Sequence, residues 1–591
     1  MKKTIYLLLA GALAFSCQQN RSQPVTAGQP LSAVLGNYYE ERLPLFPLEA
    51  TAIADNRFND QLPNDGSVAH RAKVQALYTK YLAQLRQVDT TSLNEQEKLS
   101  YAIFQRDMEM ALEGMQFPEH LMPLNQFWGL PLTFAQLGSG ASNQPFKTVK
   151  DYDDFLGRIR GFQVWGDTAM ANMRRGLATG LVLPRALAQK VVPQMRALVV
   201  ADPQKSIFYD PIRNLPRDFS AADKQRLTQA YRQAISGQVV PTYKKLQDFM
   251  QQEYVPKARA SSGISGIPNG EAYYRYLVRF WTTTHKTPEE IFTTGQQEVK
   301  RIRAEMEAVK NQVGFKGDLP AFFKYVQQDP RFRPYKKEAE ILKGYQAIQT
   351  RMAPQLKKLF GRVPKSEFEV RQTEEFREAS ASAEYNPPAP DGSRAGIFYV
   401  PILDPKTYNS TEMESLFLHE AIPGHHYQIS LQYENEELPK FRRFGWYGAN
   451  GEGWALYTEG LGKELGLYTD PYQYFGRLGN EMHRAVRLVV DAGMHAKGWT
   501  REQAIAFSKE NEAADEQSIV AEIERYMAIP GQALSYKTGE LKIKELRERY
   551  SRELGPRFRL SDFHDEILKD GVMPLAVLET KMDAWARQAG R

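Results

Sequence analysis

The decisive stretch is Thr411-Glu412-Met413-Glu414-Ser415-Leu416-Phe417-Leu418-His419-Glu420-Ala421-Ile422-Pro423-Gly424-His425-His426. Thr411 with Glu414 three residues on predicts a capping box and a helix start, which puts His419 about two turns into a helix. A His followed by Glu, with a further His downstream, is how helix-borne zinc hydrolases are built. Two imidazoles hold the metal, and the Glu beside the first activates its water. The spacing differs from the simplest version, HExxH. In an ideal helix His425 stands about 120° off the face of His419, and His426 regains the face about 10.5 Å further along. Pro423 removes a backbone donor and Gly424 permits unusual dihedrals, so a bulge between the histidines is expected to deliver His425. His426 is the alternative second ligand.

Working outward, a third ligand is needed, with one position left open. The chain has a single cysteine, Cys17, so thiolate sites and disulfide scaffolds are excluded. Any metal must be held by nitrogen and oxygen. Gly451-Glu452-Gly453-Trp454-Ala455-Leu456-Tyr457-Thr458-Glu459 follows about 30 residues later. Asn450-Gly451 reads as a turn, and the helix after it, ending near Gly466, carries Glu452 and Glu459 on one face. A Glu before Gly-aromatic-Ala resembles the third-ligand motif of zinc aminopeptidases. Glu452 is thus the candidate ligand and Glu459 its neighbour.

Asp470-Pro471 predicts a long helix running to Gly498, with Arg484, Arg487, Asp491 and His495 on one polar stripe among apolar neighbours. Such a stripe must be paired or face a cleft. Arg487 and His495 are candidates for contact with substrate or with the developing oxyanion, against a structural ion-pair network. Tyr526 and Tyr536 flank a Pro530-Gly531 break between two helices and are candidate oxyanion donors. The competing reading is ordinary buried tyrosines. Gly396 to Ile402 is a candidate strand for adding an extended peptide.

Elsewhere the 3.6-residue period dominates. Two helices are expected over 68–114, with Leu77, Tyr81, Leu82 and Leu85 on one stripe, and others over 150–180 and 217–253. Thr287-Pro288-Glu289-Glu290 is a helix start with a capping box. SEFEVRQTEEF (366–376) and RAGIFYVPIL (394–403) read as strands of a small sheet, separated by turn residues including Asp391-Gly392. The domain plan is a leader at 1–16, a polar tether at 17–30, an N-terminal helical lobe at 31–262 and a catalytic helical lobe at 263–591. Length alone suggests about four domains; a single site contracts that to one large helical unit.

The chain opens MKKTIYLLLAGALAFSC, with two lysines, an apolar run and then Ser16-Cys17. This resembles the bacterial lipoprotein signal, in which the Cys becomes the lipidated first residue. The implied location is an exported lipoprotein on the outer membrane or another periplasm-facing surface. Removing the leader lowers the formal charge from +6 to +4. Basic and acidic residues are interleaved without a basic tail, so nucleic acid is not an expected partner.

HEAIPGHHYQ, EGWALYTEGLG, RAVRLVVDAGMHAKGW, RYMAIPGQALSYKTG and SDFHDEILKDGVMPLAVLETKMDAW together resemble the bacterial domain-of-unknown-function 885 family (DUF885). The resemblance implies a mainly α, large multi-helical, metallopeptidase-like fold with a substrate cleft between helical lobes. The expectation is a zinc-dependent peptidase for short peptides outside the cytoplasm, with Zn2+ on His419, His425 and Glu452 and Glu420 as general base. Two rivals are a non-catalytic surface lipoprotein that captures peptides or glycans, and a zinc hydrolase of another amide or ester. An exopeptidase would need a charge anchor, for which Arg484, Arg487 and Arg525 are candidates when the anchored group is a carboxylate.

Overall fold

The computed structural model describes residues 29–373, 382–390 and 394–590. The leader, Cys17, most of the tether, residues 374–376 of the first expected strand and Asp391-Gly392 lie outside them.

The described residues are mainly helical with one small sheet. Local signals set many of the helices. Val68–Leu85 buries Leu77, Tyr81, Leu82 and Leu85, the stripe expected from periodicity. Helix α1 (Pro288–Gln312) begins on the expected capping box: Thr287 Oγ1 accepts from Glu290 N, and the Glu290 carboxylate accepts from Thr287 N at 2.7 Å. The helices nearest the histidines follow. They are α2 (Met413–Glu420), α3 (His425–Glu434), α4 (Gly448–Glu459), α5 (Pro471–Ala496), α6 (Glu516–Ala528) and α7 (Ser535–Leu554).

Two local expectations are corrected. Thr411 and Glu414 form no capping box. The Asn409 side chain instead caps a 3-10 turn, accepting from Thr411 N and Oγ1, and α2 starts after it. The Glu414 carboxylate is engaged by Tyr468 N and Arg351. Asn450-Gly451 is no turn either, because α4 begins earlier, at Gly448. The glycines of α4 serve packing. A Cβ on Gly451 would strike the Trp446 ring, and Gly453 lies against Gly539 of α7, backbone to backbone.

The sheet has the order β1 (Phe368–Gln372), β3 (Gly396–Val400), β2 (Glu384–Asn386). β1 and β3 are parallel, with Phe368 opposite Gly396; β2 and β3 are antiparallel, with Tyr385 opposite Phe398. β3 is therefore central and buried throughout. The expected addition of a peptide to Gly396–Ile402 finds no free edge at Ile397–Tyr399, where the ladder of β3 is taken on both sides.

Phe398 and Val400 of β3 share a core with Phe417 and Leu418 of α2, Trp454 of α4 and Ile543 of α7. A second core joins Val299, Ile302 and Met306 of α1 to Val486, Val489 and Val490 of α5 and Ile523 of α6. Each such fully buried aliphatic contributes about 1.5–3 kcal/mol. A third cluster straddles residues 262 and 263, uniting Phe117, Leu121 and Leu181 with Tyr274, Ile291, Leu488 and Leu534. Among the described residues no helix is long and apolar enough to cross a membrane.

Candidate metal centre

The histidines are joined by a break, where a bulge was expected. α2 stops at Glu420, Ala421 takes φ −99° and ψ −105°, and α3 starts afresh at His425. The Ile422–Pro423 peptide is cis. A Cβ on Gly424 would lie 2.0 Å from the His419 carbonyl oxygen and 2.3 Å from that of Leu418, so the chain folds back onto α2 only with glycine there. α4 clamps the turn: Trp454 Nε1 donates to Pro423 O at 2.8 Å, and Thr458 Oγ1 donates to Leu418 O at 2.9 Å.

The fold-back brings His419, His425 and Glu452 together, with one ligand atom of each within 4.8 Å of the others. Glu452 Oε2 is 3.3 Å from His425 Nε2 and 3.7 Å from His419 Nε2, and the two rings stand at 90°. On the far side of the same imidazole, His419 Nδ1–H donates to Glu459 Oε1 at 2.8 Å. Glu452 and Glu459, seven apart on α4, thus flank one histidine. Glu459 settles its tautomer and leaves Nε2 to face Glu452, the arrangement by which carboxylates orient metal-binding histidines.

The electrostatics follow from burial against mutual attraction. Burial opposes charge on His419, but the bonds to Glu452 and Glu459 prevail and raise it to about 9. Burial likewise opposes the Glu452 charge, but His425 and His419 hold its carboxyl well below the usual range. Burial raises the carboxyl of Glu420, partly offset by the two histidines. Glu420 makes no hydrogen bond among the described residues, which leaves its carboxylate able to accept a proton.

His426 points elsewhere. Its Nδ1 pairs with the Tyr385 hydroxyl at 2.8 Å, its ring packs on Phe368, and burial lowers it to about 4. Of the two alternatives, His425 joins the cluster and His426 anchors α3 to the sheet.

The stripe on α5 is mostly paired. Arg487 donates to the Tyr526 hydroxyl and to Glu522, both at 2.9 Å. Asp491 accepts from the Tyr274 hydroxyl at 2.5 Å and from Gly531 N. His495 accepts at Nδ1 from Ile264 N and donates from Nε2 to Tyr526 O. Both its nitrogens are spent on main chain, so the expectation that His495 touches substrate is corrected: it pins α5 to α6. Tyr526 is committed too, donating to Glu522 at 2.7 Å. Tyr536 differs, because its hydroxyl has no hydrogen-bond partner among the described residues while its ring lies beneath Arg484 and Arg487.

Two contributors were not anticipated. Glu522 lies four residues before Tyr526, a helical spacing that was open to reading. Trp446, 45% exposed with its ring 5.8 Å from that of His425, forms a wall on the solvent side of the cluster. It lies outside the helices, and no local pattern announces it.

A mainly helical fold around a buried His-His-Glu cluster, backed by a carboxylate, defines the class structurally. The family model of bacterial proteins of unknown function (DUF885) matches residues 47–582, and the chain belongs to that family. Its fold is similar to the crystal structure of a putative lipoprotein from Colwellia psychrerythraea, with TM-score 0.87, 28% identity, and coverage of 95% of this chain and 100% of the other. Its fold is also similar to the structure of a putative lipoprotein of unknown function from Shewanella oneidensis. There the TM-score is 0.73 at 20% identity, over 94% of this chain and 100% of the other. No curated protein matches the sequence.

Proposed function

We propose that this protein is a zinc-dependent peptidase acting on short peptides outside the cytoplasm, held at a membrane surface through a lipidated Cys17. The observation that carries the activity is the convergence of His419, His425 and Glu452 within 4.8 Å beside an unbonded, buried Glu420. The donor set fits zinc: two imidazole nitrogens and one carboxylate oxygen, with His419 oriented from behind by Glu459. Bound there, zinc would supply a Lewis acid that polarises a carbonyl and makes water a nucleophile at neutral pH. Glu420 takes the proton of the attacking water and delivers it to the leaving amine, a role suited to a carboxylate whose proton affinity burial has raised. Tyr536, whose hydroxyl has no partner among the described residues, is the donor for the oxyanion in preference to Tyr526. Trp446 offers an apolar surface to a substrate side chain. The lipid anchor is supported by the leader and by the similar structures described as lipoproteins.

The test is hydrolysis of a peptide library by wild type and Glu420→Gln, with metal analysis of both. The expected result is about one zinc per chain in each and turnover in wild type alone. Protein purified without chelator that holds no metal would sink the proposal. Metal without peptide cleavage would point to another amide or ester substrate. No metal and no effect of Glu420→Gln would point to a binding lipoprotein.

A further inference from the structure

The stripe on α5 is paired at Arg487, Asp491 and His495, which leaves Arg484 to be explained. Among the described residues no group hydrogen-bonds to its guanidinium and no carboxylate lies within salt-bridge distance. Its Nε is enclosed without a partner, while the side chain as a whole remains partly open to solvent. An unpaired guanidinium in such a place costs stability unless something else supplies the counter-charge. Arg487 Nη1 and Arg525 Nε are likewise enclosed without a partner, but those two arginines, the other candidate anchors, are both paired with Glu522.

Helix geometry sets where Arg484 stands. Gly476 of α5 abuts Thr411 and Glu412, and Asn480 Nδ2 donates to Ser415 Oγ at 2.8 Å. Four residues along α5 match about four along the start of α2, so the two helices run parallel and Arg484 comes level with His419 and Glu420. Its guanidinium lies 5.6 Å from the centre of the Tyr536 ring, which also carries Arg487 at 4.6 Å. Tyr536 is in turn fixed near Glu452, because Ser535 abuts Gly448 and Gly539 abuts Gly453. The ring is thus a shelf for two cations, of which one is unpaired among the described residues and level with the candidate metal centre. Burial raises the Glu412 carboxyl, and Arg484 is the first of the charges that oppose it, which places the guanidinium on the side of α2 that carries Glu412.

We infer that Arg484 binds the free α-carboxylate of a peptide substrate, so that the protein removes residues from carboxyl ends. The planar fork of an arginine matches a carboxylate in shape and charge. Tyr536 holds the fork with its ring and keeps its hydroxyl for the oxyanion. This inference rests on the peptidase reading for its chemistry but concerns a separate group.

The experiment uses full-length mature protein and one peptide library in four forms: free, N-acetylated, C-amidated, and both. Cleavage is followed by mass spectrometry. The expected result is loss of C-terminal residues from free and acetylated peptides, with amidation lowering kcat/KM roughly 10- to 100-fold, the range of a lost charge-assisted hydrogen bond. Arg484→Gln should slow the free-acid peptides to the amidated level and leave the amidated ones as they were; Arg484→Lys should restore part of the difference. Sensitivity to acetylation in place of amidation would overturn the inference and implicate an acidic anchor such as Glu412. So would an Arg484→Gln variant that slows both forms equally. If wild type cleaves nothing, the peptidase reading fails, and calorimetry on Glu420→Gln decides the anchor alone. A preference for free-acid over amidated peptides that vanishes on adding Arg484→Gln sustains it, and equal binding refutes it.

Discussion

Glu459 touches the candidate centre only through His419, yet it decides which nitrogen of that ring faces Glu452. Glu459→Ala is expected to weaken zinc binding about 10- to 100-fold, measured by competition with a chelator, while the fold persists. Glu420→Gln is expected to leave zinc binding intact and to lower turnover by about 10²- to 10⁴-fold. Gly424 acts through space alone. The Cβ of Gly424→Ala would collide with two carbonyl oxygens of α2, so the variant should lose about 1–3 kcal/mol in denaturant unfolding and bind zinc more weakly. Unchanged stability would mean that the turn can relax without moving His425.

At the scale of elements, α5 is tied to its neighbours by polar groups that work in one protonation state. Burial lowers His495 to about 3, with the Tyr526 carbonyl opposing the shift. Burial also lowers His564 to about 3; it donates to Leu359 O and accepts from the Tyr457 hydroxyl. A histidine with a depressed folded value contributes stability that is present above its unfolded value of ~6.5 and lost as pH falls toward the folded value. Between pH 6.5 and 5 each should therefore cost up to about 2 kcal/mol. His495→Gln should reduce the pH slope of unfolding free energy in that window by about 1.4 kcal/mol per pH unit at most, and an unaltered slope would refute the assignment. The elements also show what was legible beforehand. α1 and α5 were, because Thr287 and Asp470-Pro471 are local start signals within a few residues of what they cap. The break at 421–424 was not, because its glycine answers to carbonyls one turn back and its clamp to Trp454 on another helix. Asn450-Gly451 misleads for a related reason: Gly451 admits the Trp446 ring, as Gly453 admits α7, in place of turning the chain. The candidate ligands could be named from residue type and spacing, while the fate of Arg484, Arg487 and His495 depended on partners far away in sequence.

Over the whole molecule, a buried knot of charge joins α1, α5 and α7. Lys537, with its side chain 0% exposed, meets Glu481 at 2.6 Å, Glu540 at 2.5 Å and Glu298 at 3.0 Å, and Arg301 and Arg477 close on Glu481. Lys537→Met removes the fully buried cation that the three carboxylates share, while Arg301, Arg477 and Lys544 stay beside them, so the expected cost is about 1.5–3 kcal/mol. Lys80→Ala, which breaks the exposed pair with Glu41, should cost under about 1 kcal/mol. Chemical denaturation of the two variants measures the contrast.

The contact of Gly453 with Gly539 has a bearing on which ions the proposed centre would accept. Where two helices meet backbone to backbone, no side chain can change rotamer to widen the gap, and the residue next to that contact is Glu452. The cluster is held to one gauge by main chain. A cation such as calcium, which wants ~6–8 oxygen ligands at longer range, would have to shift α4 from α2 and α3 against its backbone contact with α7. If the proposed zinc occupies the cluster, discrimination between metals would be exercised partly by two residues that have no side chain at all.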